Sequence, residues 1–259
     1  MKKLIIGVVT SIFLVMGCAA AFAKDTAVDK FINLCNKGTV EDFNRIIGKV
    51  GVNTVLDDNG NTPILIASNT DMFGIVKRLC DMGANVNAKN KYGYNAMVYA
   101  ALNRNPKMIQ YLIDKGLNVK KCYAGPNNDP ILRLMFTGEF YYPYYNQKKT
   151  FDLPHFDQAD YETFELLIKH GANVTDINSD KDTLMHLAVL STNWLIHNAN
   201  LYFFKMIFKL DPAGSKKSLT MRNKNGLTPL DIAKRDYVSD AIRTYLNEQA
   251  GLTKLDPYN

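Results

Sequence analysis

The hydrophobic pattern of this chain has two regimes. From Leu4 to Ala23 no residue is charged, with Lys2 and Lys3 before the stretch and Lys24 and Asp25 after it. Beyond Asp25, apolar residues come in short clusters of helical spacing, each closed by polar residues and a glycine. Leu79-Cys80 precede Gly83, Leu112-Ile113 precede Gly116, and Leu166-Leu167-Ile168 precede Gly171. A glycine at that place fits the left-handed residue that ends a helix. Thr62-Pro63 and Thr228-Pro229 mark helix starts, because threonine is a favoured N-cap and proline is preset for the first helical position. Ala67, Ala100, Ala188 and Ala233 fall on helices where neighbours must approach closely.

These signals recur in order, which makes the chain a repeat protein. Asp57 to Ala67 and Asn223 to Ala233 both read polar, x, x, Gly, x, Thr-Pro, apolar, x, apolar, Ala. Gly83-Ala84-Asn85-Val86-Asn87 returns as Gly116-Leu117-Asn118-Val119 and as Gly171-Ala172-Asn173-Val174, and the first two copies are 33 residues apart. The blocks resemble the ankyrin repeat, with its Thr-Pro-Leu-His turn, two antiparallel helices and an exit into a β-turn finger. The resemblance runs from about Asp25 to Asn247. It implies an all-α fold, an ankyrin-repeat solenoid of about six helix-turn-helix units including both caps, with finger turns and inner helices as the binding surface.

An N-terminal cap spans about Asp25 to Leu56, with Phe31 to Cys35 on its first helix and Val40 to Ile47 on its second. Repeat one runs from Asp57 to Ala88, and repeat two from Lys89 to Lys121, with Asn95-Ala96 in place of Thr-Pro. Repeat three begins at Asn127 to Phe136 and resumes at Ala159 to Thr175. Repeat four covers Asp176 to about Ser218 and holds Thr183-Leu184-Met185-His186. Leu219 to Asn247 form the C-terminal cap, whose outer face is polar through Lys234, Arg235, Asp236, Arg243 and Asn247, before a frayed tail. With Asp129 and Thr183 taken as equivalent, the spacing is 54 residues against 33 earlier, placing 21 extra residues between the helices of repeat three. Thr183 to Thr228 is 45 residues, so 12 more are shared between Trp194 to His197 and Asp211 to Lys217. Stacked repeats tolerate such insertions as surface loops.

The uncharged first segment changes the picture from fold to address. It reads as a secretory signal peptide over residues 1–23, cut after Ala21-Phe22-Ala23. Two other endings stay open: Leu14 to Cys18 resembles a lipobox that would lipidate Cys18, and about 20 residues would serve as an uncut anchor. An exported protein is expected, periplasmic or secreted. Without the signal the chain keeps 29 basic residues against 25 acidic, a net charge of +4 with no dense basic run. That balance argues against nucleic acid or a membrane surface as partner. Cys35, Cys80 and Cys122 are odd in number and sparse, so buried thiols fit them better than a Cys35–Cys80 bridge.

Candidate chemistry then reduces to recognition. The insertion at about 138–158 carries Tyr141, Tyr142, Tyr144, Tyr145, Phe151, His155 and Phe156, a density of aromatics found at protein interfaces. The same rings would also serve to cover the helices of their own stack. The finger positions are Asp57, Asp58 and Asn59; Asn90, Lys91 and Tyr92; Ser179, Asp180 and Lys181; Arg222, Asn223 and Lys224. They share no charge sign and point to no single ligand. His186 sits at the histidine of the turn motif, where the resemblance implies a structural hydrogen bond, and His170 ends a helix. His155 and His197 lack a nucleophile or carboxylate at a telling spacing. Asp152, Asp157 and Asp160 lack the glycine and closing glutamate of a calcium loop and read as solvated charge. No enzyme activity, cofactor or metal is expected; a monomer that binds a protein partner is, with a pocket under the aromatic loop as the rival reading.

Overall fold

The structure, a computed structural model, describes residues 27–37, 39–137, 139–140, 149–150, 158–190, 197–235 and 238–252. The described residues fall into two compact units, divided between residues 49 and 50. In the first, α1 (Ala27–Lys37) and α2 (Val40–Val50) are amphipathic, and Phe31 meets Phe43 with ring centroids 6.2 Å apart.

The second unit is built from five helix pairs among the described residues. They are α3 (Pro63–Asn69) with α4 (Phe73–Asp81), α5 (Ala96–Leu102) with α6 (Pro106–Asp114), and α7 (Ile131–Thr137) with α8 (Gln158–Lys169); then α9 (Leu184–Leu190) with α10 (His197–Leu210), and α12 (Pro229–Ala233) with α13 (Asp240–Gln249). The first helices pack in sequence, α3 on α5, α5 on α7, α7 on α9, α9 on α12. The second helices form an outer row in which α6 packs on α8, α8 on α10 and α10 on α13. This is the expected all-α repeat architecture.

The inner row is short and mostly apolar, and most of its residues are buried. Ile64, Ala67, Met97, Ala100, Met185 and Ala188 have no exposed surface. Small side chains at Ala67, Ala100 and Ala188 let the helices approach. The outer row is amphipathic, with Val76, Leu79, Ile109, Leu112, Phe164 and Leu167 buried inward. Phe203 of α10 closes the core between Phe136 of α7 at 4.5 Å and Phe164 of α8 at 5.7 Å. Gly83, Gly116 and Gly171 have φ of +86°, +90° and +102°, the left-handed helix ends read from the sequence.

Five sequence expectations need correction. Helix α7 begins at Ile131, so the turn residue of repeat three is Pro130, one position after Asp129; Pro130 to Thr183 is 53 residues, 20 above the repeat length, and Asn95 to Pro130 is 35. Thr62 takes the extended N-cap conformation but makes no capping hydrogen bond, whereas Thr228 forms a full capping box with Asp231. The segment Asp211 to Lys217 is no surface loop: Asp211 caps helix α11 (Pro212–Ser218), which packs on α9 and α10 and buries Ser215 and Ser218. Asp160 is not solvated charge; it is 3% exposed and ion-paired to Arg104 at 2.5 Å. Arg243 reaches the carbonyls of Ala233 at 3.1 Å and Val238 at 2.9 Å instead of lying free on the outer face.

Repeat three starts with β1 (Tyr123–Ala124) paired antiparallel to β2 (Asp129–Pro130). Its insertion rests on a second antiparallel pair, β3 (Glu139–Phe140) with β4 (Lys149–Thr150), in the register Glu139 to Thr150 and Phe140 to Lys149.

Candidate recognition surface

Four of the five fingers are each organised by one Asx side chain, and the fifth, in repeat three, by the β1–β2 pair. Asp57 Oδ1 accepts from the amides of Asn59 and Asn61, at 3.0 and 2.9 Å. Asn90 Oδ1 accepts from Tyr92 and Tyr94, Asn178 Oδ1 from Asp180 and Asp182, and Asn223 Oδ1 from Asn225 and Leu227, all at 2.9–3.1 Å. A carboxylate or amide oxygen that binds the backbone two and four residues on stabilises a turn no regular ladder would hold. The chain then takes a left-handed residue in each finger: Gly60, Gly93, Asn128, Lys181 and Gly226 have φ between +50° and +82°.

Adjacent fingers are joined through their backbones. Lys91 N–H donates to Asn59 C=O at 2.9 Å, Gly125 to Tyr92 at 2.8 Å, Ser179 to Asn127 at 2.8 Å and Lys224 to Asp180 at 2.9 Å. A second, side-chain ladder runs beneath: Asn90 Nδ2 donates to Asn61 Oδ1, Asn178 Nδ2 to Asp129 Oδ1, and Asn223 Nδ2 to Asp182 Oδ1, at 2.9–3.1 Å. The bond from Ser179 to Asn127 crosses the long insertion without a break in the row.

The predicted finger residues Asn59, Lys91, Tyr92, Lys181 and Lys224 are therefore brought into one wall. Lys91, Lys181 and Lys224 are exposed, while Asn59 and Tyr92 are half-buried and approach each other, Tyr92 Oη to Asn59 Oδ1, at 3.5 Å. Lys224 Nζ pairs with Asp180 at 3.2 Å across two fingers. Exposed Asp58, Asp180 and Arg222 complete a surface of mixed charge on a fixed backbone. Sequence reasoning missed the ladder of Asn61, Asp129 and Asp182, and the Asn127 link. The signal was present, a polar residue four positions after the turn Asx in the flanking fingers.

The aromatic candidates Tyr141, Tyr142, Tyr144, Tyr145, Phe151, His155 and Phe156 lie outside the described residues, as does Cys18. Strands β3 and β4 locate where the insertion leaves the stack, at the C-terminal end of α7, whereas the fingers lie at the N-terminal ends of the inner helices. Seven residues of helix separate those ends, about 10 Å at 1.5 Å per residue.

A groove of about 720 Å³ lies on the outer row, lined by Pro106 of α6, Tyr161, Glu165 and Lys169 of α8, and Lys209 of α10. Its rim carries both charge signs. Among the described residues no cluster of His, Cys, Asp or Glu could hold a metal ion, and no helix is long and apolar enough to cross a membrane. Cys122 is buried and Cys80 half-buried, both are free thiols, and burial pushes both above the ordinary thiol pKa. His186 is fully buried and bonded on both ring nitrogens.

A family model described as ankyrin repeats in three copies matches residues 18–121. The chain is 29% identical over 143 residues to ankyrin repeat protein L271 of Acanthamoeba polyphaga mimivirus, covering 52% of this chain and 18% of that one. It is 27% identical over 173 residues to the mitochondrial disaggregase of Bos taurus, covering 65% and 20%. Ankyrin repeat protein L66 of the same virus is 33% identical over 104 residues, covering 38% and 16%. The chain thus spans a fifth or less of these relatives. Among solved structures, the crystal structure of the ankyrin repeat protein EF0377 superposes with a TM-score of 0.59 at 17% identity, over 88% of this chain and 98% of that one. The fold is an ankyrin-repeat stack.

Proposed function

We propose that this ankyrin-repeat chain is an exported interaction module that holds a protein partner along its finger wall, with the aromatic insertion as a second contact. The observation that carries the reading is the inter-finger ladder. Its backbone is fixed before any partner arrives, so ordering costs at binding are small, while the exposed side chains remain free to make contacts. Ankyrin-repeat folds generally act as interaction scaffolds, and the fold sets a surface rather than a reaction. Export rests on the uncharged stretch Leu4 to Ala23 behind Lys2 and Lys3. A secreted effector that meets host proteins would use the same surface.

The test is affinity capture from the compartment into which the chain is exported, with wild type and with a Lys91→Glu/Lys224→Glu variant. A partner retained by wild type and lost by the variant, at equal melting temperature, supports the finger wall. Equal retention by wild type and variant would remove the fingers from the proposal. Mass spectrometry of the mature N-terminus checks export: a start at Lys24 supports signal cleavage, and a lipidated Cys18 supports the anchored form.

A further inference from the structure

Repeat four extends the hydrogen bond expected of the turn-motif histidine into a chain that reaches the inserted helix α11. Ser218 Oγ of α11 donates to Thr183 Oγ1 at 2.7 Å, Thr183 Oγ1 lies 2.9 Å from His186 Nδ1, and His186 Nε2 lies 3.0 Å from Leu227 C=O in the last finger. The Thr183 amide also points at Nδ1, at 3.1 Å. A carbonyl oxygen can only accept, so Nε2 carries the proton and Nδ1 is bare. The direction of every bond follows: Ser218 to Thr183, Thr183 to His186, His186 to Leu227. Ser218, Thr183 and His186 are all fully buried, and the chain ties together α9, the inserted helix α11 and the finger that leads into α12.

A second proton on the ring breaks this arrangement at a definite place. Nδ1–H would face the Thr183 amide N–H, donor against donor. Thr183 Oγ1 already accepts from Ser218; accepting from Nδ1–H as well would leave its own hydroxyl hydrogen without an acceptor in a buried site. We propose that His186 is an acid-sensitive latch, which fastens the last finger and α11 to repeat four while neutral and releases them when protonated.

The surrounding charges do not relieve the clash. The Leu227 and Met221 carbonyls and Asp182 in the preceding finger favour a charged ring, Arg133 on α7 repels it, and burial outweighs the three that favour it. Asp182 Oδ1, however, accepts from Asn223. Lys216 and Lys217 on α11 and Lys205 and Lys209 on α10 are exposed, and Asp231 on α12 is held by the Thr228 amide and hydroxyl. Burial, the largest effect, pushes the His186 pKa below the ordinary histidine value of 6.5. The unfolded chain therefore takes up a proton first as pH falls through 6.5. Stability present above that value is lost down to the pKa of the folded state.

The experiment uses the full chain and two readouts: NMR titration of the His186 ring, and amide exchange of residues 219–232 corrected for intrinsic rates. In wild type the ring should titrate below 6.5, and protection should fall between pH 7 and 5 by about tenfold for each unit of depression. Repeats one and two should keep their protection. In His186→Gln the acid step should vanish. Ser218→Ala frees an acceptor site on Thr183 and should move the ring titration upward, which a merely space-filling serine would not do. A ring titrating at or above 6.5 overturns the proposal, even if the glutamine variant fails to fold; so does an unchanged acid step in that variant.

Discussion

Thr62 and Thr183 occupy the same place in two repeats, yet only one hydroxyl has partners. Three residues on, repeat four has His186 and repeat one has Leu65, so Thr62 Oγ1 is buried without a hydrogen bond. A buried orphan hydroxyl costs about 1–3 kcal/mol, and an apolar isostere removes that cost. Thr62→Val should leave the melting temperature unchanged or raise it, while Thr183→Val should destabilise by about 1–3 kcal/mol. Chemical denaturation of both variants checks the pair, and equal losses would mean that Thr62 has an acceptor after all. Gly93 is the stricter position. At φ +82°, a Cβ there would stand 2.9 Å from Tyr123 C=O. Gly93→Ala should cost more than about 1 kcal/mol by thermal denaturation. The Thr-Pro signal revealed where helix α3 starts, but not that its cap would go unused, because the polar partner three positions later, His186 after Thr183 and Asp231 after Thr228, has no counterpart at Leu65.

At the scale of elements, the ion pair between Arg104 and Asp160 performs a task that the repeat pattern hides. Arg104 sits in the turn between α5 and α6, in the left-handed region at φ +53°. Asp160 lies in the first turn of α8, where the chain returns from the insertion. The pair moors α8 to repeat two. Asp160→Ala leaves a guanidinium near apolar surface and should cost about 3 kcal/mol, at the low end for a buried pair because Arg104 is 23% exposed on its side chain. A double-mutant cycle with Arg104→Met gives the coupling, and additive losses would contradict the mooring. Replacing Ala67 with leucine should force α3 from α5 and cost about 1–3 kcal/mol; an unaltered melting midpoint would speak against that interface. Helix starts and ends were legible because capping and glycine chemistry is local. Helix α11, the Asp160 pair and the one-residue shift to Pro130 were not. Each depends on which residues meet across repeats, and no spacing along one repeat encodes that.

For the whole molecule, the repeat stack was readable from phase alone, because every unit must bury its face against the next. The candidate site was readable only as finger positions; that they form one hydrogen-bonded wall required the fold. Replacing residues 141–148 by a two-residue turn should leave the helical circular dichroism and the melting midpoint essentially unchanged while weakening partner capture. Loss of the helical signal would assign those aromatics to folding instead. The bond from Ser179 to Asn127 has a wider consequence. Since Asn127 and Ser179 bond directly, the finger row continues from repeat three to repeat four at that point. Residues 141–148 should then tolerate exchange or lengthening with no change of register along that row. A frame that keeps its register independently of one segment can present many sequences in that segment while the frame itself stays constant.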